Sequence, residues 1–286
     1  MVAKERNYLA VAKKHITTPS RLASWRRVLV YGRNKKGKST FANSAGRAKT
    51  LELDCEHGTD TMLKSDPYVW HLTKWEEIND VVGAIRTGEL SPKYLGLGPE
   101  EEPFSWLAPD TLTRFNNMAL RYIMKLAEET NLDRRPGLVD RRDYFKSGEL
   151  MKEMLMQFHG LPINICYTAQ ERMKAIGGFD DDEEAEESDY IMVPDLPDAV
   201  RGAANSWVEV IGRIYVVRVE IKGKPKPQRR LQIGINEKYD TGYRSDFVLP
   251  DMIKNPTLPK LVKMMTEGPP PPRTKRTGKI APSEET

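Results

Sequence analysis

Long apolar runs are missing from this sequence. No stretch of about 18 consecutive apolar residues occurs, so no membrane-spanning helix is expected. The opening residues, MVAKERNYLAVAKKH, contain no apolar segment of the kind a secretory signal needs, and they do not read as one. Cysteine is scarce: Cys55 and Cys166 are the two present, both in strand-like apolar stretches. They are expected to be reduced core residues of a cytoplasmic protein and not a disulfide framework. An excess of one charge is also lacking. Lys and Arg number 45 against 41 Asp and Glu, a net charge of +4 over 286 residues, which neither requires nor excludes a nucleic-acid partner.

What is there is apolar content, 39% of the residues, enough for one sizeable core. The charge is unevenly spread. Phe179 to Asp189 (FDDDEEAEESD) is a dense acidic block, whereas Lys222 to Arg230 (KGKPKPQRR) and Arg273 to Lys279 (RTKRTGK) are basic. Either basic segment could follow a phosphate backbone, although solvated loops and a solvated tail explain each alone. The acidic block lacks the glycine and closing glutamate of a calcium loop and is expected to be an extended loop.

The order of elements reads as alternating strands and helices. Strands are expected at Val28–Tyr31, a short apolar run of the buried parallel type, and at Thr50–Asp54, Val69–Leu72, Trp106–Asp110 and Ile163–Tyr167. Helices are expected from Lys38 to Gly46, Trp75 to Ile85, Leu112 to Glu129 and Gly148 to His159, with loops at Thr87–Pro103 and Leu132–Arg141. Past the acidic block, Ser206–Glu220 and Arg229–Ile235 read as an antiparallel hairpin across a Lys/Pro-rich turn. The fold class is therefore α/β, a mostly parallel core with an antiparallel C-terminal extension. Residues 1–23 read as a lead-in, 24–250 as the core domain, 251–267 as a C-terminal helix (Leu258 to Thr266 within it) and 268–286 as a flexible basic tail.

One segment carries explicit chemistry. Gly32-Arg33-Asn34-Lys35-Lys36-Gly37-Lys38-Ser39, followed by Thr40, fits G-x-x-x-x-G-K-[ST] between an apolar strand and a helix. The glycines let the backbone wrap phosphates with its N–H groups inward, and the following helix adds the positive end of its dipole. Lys38 is placed to meet the β- and γ-phosphates and the Ser39 hydroxyl to ligate Mg²⁺, so ATP with Mg²⁺ is the expected cofactor. Lys35 and Lys36 add charge inside the loop.

Turnover needs further groups at the carboxyl ends of neighbouring strands. Leu53-Asp54-Cys55-Glu56 offers Glu56 as the base for the attacking water, with Asp54 as the second choice. Trp106-Leu107-Ala108-Pro109-Asp110 offers Asp110 as the carboxylate on the Mg²⁺ side, though Pro109 is awkward inside a strand. Gln170, after Ile163–Tyr167, offers an amide to the γ-phosphate, or a plain strand-end hydrogen bond.

These segments, with APDTLTRFNNMALRYIMK, DYFKSGELMKEMLMQFHGLPINICYTAQERM and VRGAANSWVEVIGRIYVVR, resemble the phage-encoded AAA/RecA-like ATPases, including the RecA-like branch of the Sak single-strand annealing proteins. The resemblance covers residues 24 to 250. It implies a RecA-type core that hydrolyses ATP, assembles into homo-oligomeric rings or filaments in the host cytoplasm, and acts on single-stranded DNA, alone or with a single-strand-binding protein. It assigns catalysis to Lys38 and Glu56, Mg²⁺ binding to Ser39 and Asp110, and nucleotide sensing to Gln170. It also implies a basic residue reaching a neighbouring subunit's γ-phosphate, for which Arg244 matches and Lys238 is the alternative. Two departures stand out: Pro109 in the Mg²⁺-side strand, and acidic sequence where such proteins place a DNA loop. A helicase-type or helicase-loading motor, a nucleotide-gated module with little hydrolysis, and a small-molecule kinase lidded by Arg134, Arg135, Arg141 and Arg142 remain open.

Overall fold

The computed structural model describes residues 25–56, 58, 62, 66–131, 133–176, 190–221 and 223–270. The strands are β1 (Arg27–Tyr31), β2 (Thr50–Asp54), β3 (Tyr68–His71), β4 (Trp106–Asp110), β5 (Asn164–Ala169), β6 (Glu171–Ala175), β7 (Tyr190–Pro194), β8 (Val210–Ile221), β9 (Lys224–Gln232), β10 (Gly242–Tyr243) and β11 (Met252–Lys254). Nine of them form one sheet in the order β11-β9-β8-β1-β5-β4-β2-β3, with β10 also paired to β8. From β3 across to β8 every pairing is parallel, while β9, β10 and β11 join antiparallel. The fold is thus the expected α/β core with a mainly parallel sheet and an antiparallel extension.

Both sheet faces are covered, as parallel strands require. Leu29, Tyr31, Leu51, Leu53, Leu107 and Tyr167 share one apolar cluster with helices α2 (Glu77–Arg86), α3 (Leu112–Thr130), α4 (Arg141–His159) and α5 (Asp198–Trp207). Val28, Val30, Ala108, Cys166, Ile214 and Leu231 share the other with α1 (Lys38–Ala42) and α6 (Leu258–Glu267). Beneath β1 the buried Arg27 guanidinium donates to the carbonyls of Ile163 (2.7 Å), Leu161 (2.8 Å) and His159 (2.9 Å), closing the end of α4. Cys55 and Cys166 are unpaired thiols, and burial pushes the Cys55 thiol up to about 12.

Several boundaries differ from the sequence reading. The helix after the phosphate loop ends at Ala42 and not Gly46, because Asn43 and Ser44 turn their side chains back onto the carbonyls of Ser39 (3.0 Å) and Phe41 (2.6 Å). Helix α4 begins at Arg141 and not Gly148, since Asp140 and Asp143 form a capping box there. Ser206 and Trp207 close a helix, α5, and the strand starts only at Val210. The Lys/Pro-rich segment expected as a turn is the first half of β9. Pro225 and Pro227 fit there because β11 covers β9 only at Arg230–Gln232, so the prolines sit on a free edge. Residues 252–254 are strand β11, not the start of the last helix. The acidic block, Lys222 and the tail from residue 271 lie outside the described residues.

Candidate active site

Every residue of β1 is buried, and the strand delivers the chain to Gly32 directly against Ile214 of β8. A Cβ at Gly32 would collide with the Ile214 carbonyl oxygen, so the close approach of loop and strand requires glycine. Gly37 closes the loop at φ 97°, in the left-handed region. The Lys38 side chain is buried and its Nζ donates to the carbonyls of Gly32 (3.0 Å) and Arg33 (3.2 Å), which sets the ammonium within the loop. Burial lowers the Lys38 pKa, and Asp110, Glu56 and Glu171 oppose that shift from around it.

Asp110 ends β4, in register with Asp54 of the adjacent β2. Its carboxylate accepts hydrogen bonds from the hydroxyls of Ser39 and of Thr168 (2.5 Å) on β5. Burial pushes the Asp110 carboxyl up, and those two hydroxyls and Lys38 pull it back. One hydroxyl and one buried carboxylate side by side fit Mg²⁺, which takes one or two protein oxygens and completes its shell with phosphate oxygens and water. When bound there, the ion would neutralise charge on the transferring phosphoryl group. Pro109 is compatible with this strand because the β4–β5 ladder ends at Leu107, before the proline.

Glu56 stands just beyond β2. It accepts from the Thr111 hydroxyl (2.8 Å) and lies 3.5 Å from the Arg114 guanidinium at the start of α3. The residue is exposed, facing a cleft also lined by Trp75, Asn117, Arg121 and Tyr122. A carboxylate held by one hydroxyl and one cation, and open on one side, can orient a water. Asp54 instead lies 3.5 Å from His71 Nδ1 and caps the Glu56 backbone N–H (2.9 Å).

Gln170 follows β5. Its backbone N–H donates to Thr113 Oγ1 (3.0 Å), and the residue lines a hollow of about 450 Å³ with Arg33, Asn34, Lys36 and Glu171. Lys35 lies exposed at φ 61°, and Thr40 is exposed on α1. Arg244 is elsewhere. Its backbone N–H bonds Glu209 at the amino end of β8, and its guanidinium donates to the Ser206 carbonyl (2.7 Å). Within one chain it stands at the opposite end of the sheet from the phosphate loop.

A family model described as an AAA domain matches residues 24–245. The chain belongs to this AAA domain family. Among curated proteins none matches the sequence. The AAA domain is a P-loop ATPase type, which agrees with a loop, a buried lysine and a hydroxyl–carboxylate pair at one sheet end. No helix among the described residues is long and apolar enough to cross a membrane.

Several groups of this AAA domain escaped the sequence reading. Glu52 is fully buried on β2, accepts from Asn43 just past α1, and is pushed up to about 8 by burial and by Asp110. Its signal was the alternation Thr50, Glu52, Asp54 on one strand face. Glu171, half-buried with its side chain enclosed, is held by Arg213 (2.8 Å) and Arg33 (3.1 Å), and Arg213 stacks over Tyr239. Thr168 and Thr111 left no pattern in the sequence, because hydroxyls that orient carboxylates follow from tertiary placement alone.

Proposed function

We propose that this AAA domain hydrolyses Mg-ATP and works on single-stranded DNA, promoting annealing or recombination of phage DNA as a homo-oligomer. The observation that carries the reading is the β8–β9 hairpin. Arg213 of β8 is level with Tyr31 at the loop, yet β8 continues to Ile221, about 26 Å further at the rise of an extended strand. The hairpin therefore projects past the nucleotide end of the sheet. Its register places Tyr215, Val217 and Val219 opposite Arg230, Gln228 and Lys226 on one face, with Lys224 at the tip. Cations beside an aromatic ring and apolar side chains suit a strand whose bases are unpaired and whose phosphates need neutralising.

The resemblance to Sak-type proteins supports the same reading from the sequence side. A kinase is less well supported: Arg134, one of the arginines that would form its lid, is paired with Asp143 of the α4 capping box. Gln170, bordering the loop's hollow and joined through its carbonyl to Asp195 (2.8 Å), would pass nucleotide state towards the β6–β7 ribbon. For Arg244 the proposal is a neighbour's site. In a head-to-tail assembly the amino end of one sheet faces the carboxyl end of the next, so a residue remote from its own loop can meet another's.

Binding of labelled oligothymidine and of duplex DNA, followed by anisotropy across a salt series, tests the DNA reading. Single-strand preference with a falling log affinity against log salt is expected. Equal affinity for duplex, or no binding, would overturn it.

A further inference from the structure

Arg229 sits on β9, opposite Val216 of β8, three residues beyond Arg213, which is level with Tyr31 before the loop. Its side chain lies against Gly37. A Cβ added to Gly37 would fall 2.5 Å from Arg229 Nε, 2.9 Å from Cδ and 3.2 Å from Cζ. The strand is anchored at this residue, since the Arg229 carbonyl accepts from Asn255 N–H (2.8 Å). Among the described residues Arg229 enters no ion pair, whereas Arg213 and Arg33 share Glu171. A guanidinium laid on a phosphate-binding loop without a carboxylate of its own is matched to an anion.

The side of the loop decides which part of the nucleotide it meets. Asp110 and Glu56 belong to β4 and β2, beyond β5 on one flank of β1. The metal and the attacking water work at the γ-phosphate, so that end of ATP points to β4 and β2. The nucleoside end must then leave on the other flank, where β8 and β9 stand. We propose that Arg229 is a nucleotide-binding residue supplied in cis by the hairpin, holding the α- and β-phosphates from the nucleoside side. This rests on the phosphate loop binding ATP and not on the DNA reading.

Strand alternation separates this role from the basic face. Arg229 shares its side of β9 with Leu231, which is buried in the α1 and α6 cluster. Lys224, Lys226 and Arg230 project to the opposite side. One strand thus carries a nucleotide contact on one face and a nucleic-acid contact on the other, so that filling the loop fixes the hairpin.

Titration calorimetry of the full chain with Mg-ATP and Mg-ADP, without DNA, tests the assignment. Arg229→Ala should weaken both nucleotides by a similar factor, about tenfold or more, as expected for losing a charged hydrogen bond. Arg229→Lys should recover part of the loss, and Lys263→Ala, which removes an exposed charge on α6, should leave both affinities within about twofold. Unchanged affinities in Arg229→Ala would overturn the proposal. So would a loss confined to ATP, which would put the residue at the γ-phosphate. Lys38→Ala, measured alongside, keeps the two failures apart: if it also binds normally, the phosphate-loop reading itself is wrong. Matching thermal melts of Arg229→Ala and parent ensure that the variant reports binding.

Discussion

The Ser39 hydroxyl donates to the Asp110 carboxylate, joining the first turn after the phosphate loop to the end of β4 across 71 residues of sequence. Thr168 of β5 donates to the other carboxylate oxygen (2.5 Å), so Asp110 is oriented from both sides before any cation arrives. Thr168→Val should therefore raise the Mg²⁺ concentration for half-maximal turnover about 10- to 100-fold, the usual effect of losing a partner of a metal ligand. ATPase rates over a Mg²⁺ series at saturating ATP check this; an unchanged midpoint would separate Asp110 from the metal.

Glu56 has the Thr111 hydroxyl and Arg114 to aim it, and its remaining side is open. Glu56→Gln keeps the shape and loses the basicity. Turnover should fall by about 10²- to 10⁴-fold while nucleotide affinity holds. Parent-like hydrolysis in this variant would assign the base elsewhere.

Glu52 makes stability depend on pH. Its pKa in the folded chain is about 8, against 4.5 for the free carboxyl, with burial the main cause and Asp110 the second. Between those values the folded state holds a proton that the unfolded state has lost, so stability falls as pH rises through the window. Glu52→Gln preserves an acceptor for Asn43 and removes the titration. Melting of the nucleotide-free proteins should show the parent losing Tm between about pH 5 and 8.5, and the variant ahead by about 3 °C or more at the upper end. Parallel curves would rule out a titrating Glu52.

Under the proposed function, the basic face of the hairpin sets a salt dependence for DNA binding. Replacing Lys224, Lys226 and Arg230 by alanine should flatten the slope of log affinity against log salt for single-stranded DNA by about 2, since each lost phosphate contact on a single strand is worth about 0.7. An unaltered slope would move the DNA site off this face.

How much of this was legible in the sequence follows from what kind of pattern each part leaves. β1, β4 and β5 are buried on both sides and read as largely apolar runs, while β2 alternates Leu51 and Leu53 with polar residues, so Thr50–Asp54 and Trp106–Asp110 emerge at their observed bounds. Asp110 and Glu56 were legible because they close such runs. Past Gln170 the signals mix. Strand β6 is short, half-buried and charged, β7 is a five-residue apolar strand standing directly after the acidic block, and α5 was hidden because Ser206 and Trp207 continue into the apolar start of β8. Glu52 and Arg229 depend on which element lies across from them, Asn43 in one case and Gly37 in the other, and no local pattern encodes that.

Arg244 supplies a test of assembly. Its guanidinium rests on the Ser206 carbonyl at the sheet's amino end, remote from its own loop, and in the proposed assembly it would meet a neighbour's. Arg244→Ala and Lys38→Ala should each be inactive alone, while a mixture regains activity through sites built from one intact loop and one intact arginine. An arginine given in this way is worth about 10³–10⁵ in rate. Full activity of Arg244→Ala alone would remove the residue from the site.

The most direct test of the central claim, a P-loop ATPase working on single-stranded DNA, is steady-state hydrolysis of Mg-ATP by the full chain with and without single-stranded DNA, beside Lys38→Ala. The account predicts turnover that single-stranded DNA stimulates several-fold, that duplex stimulates less, and that Lys38→Ala abolishes in both conditions. Turnover indifferent to DNA would contradict the substrate, and turnover that survives Lys38→Ala would contradict the site.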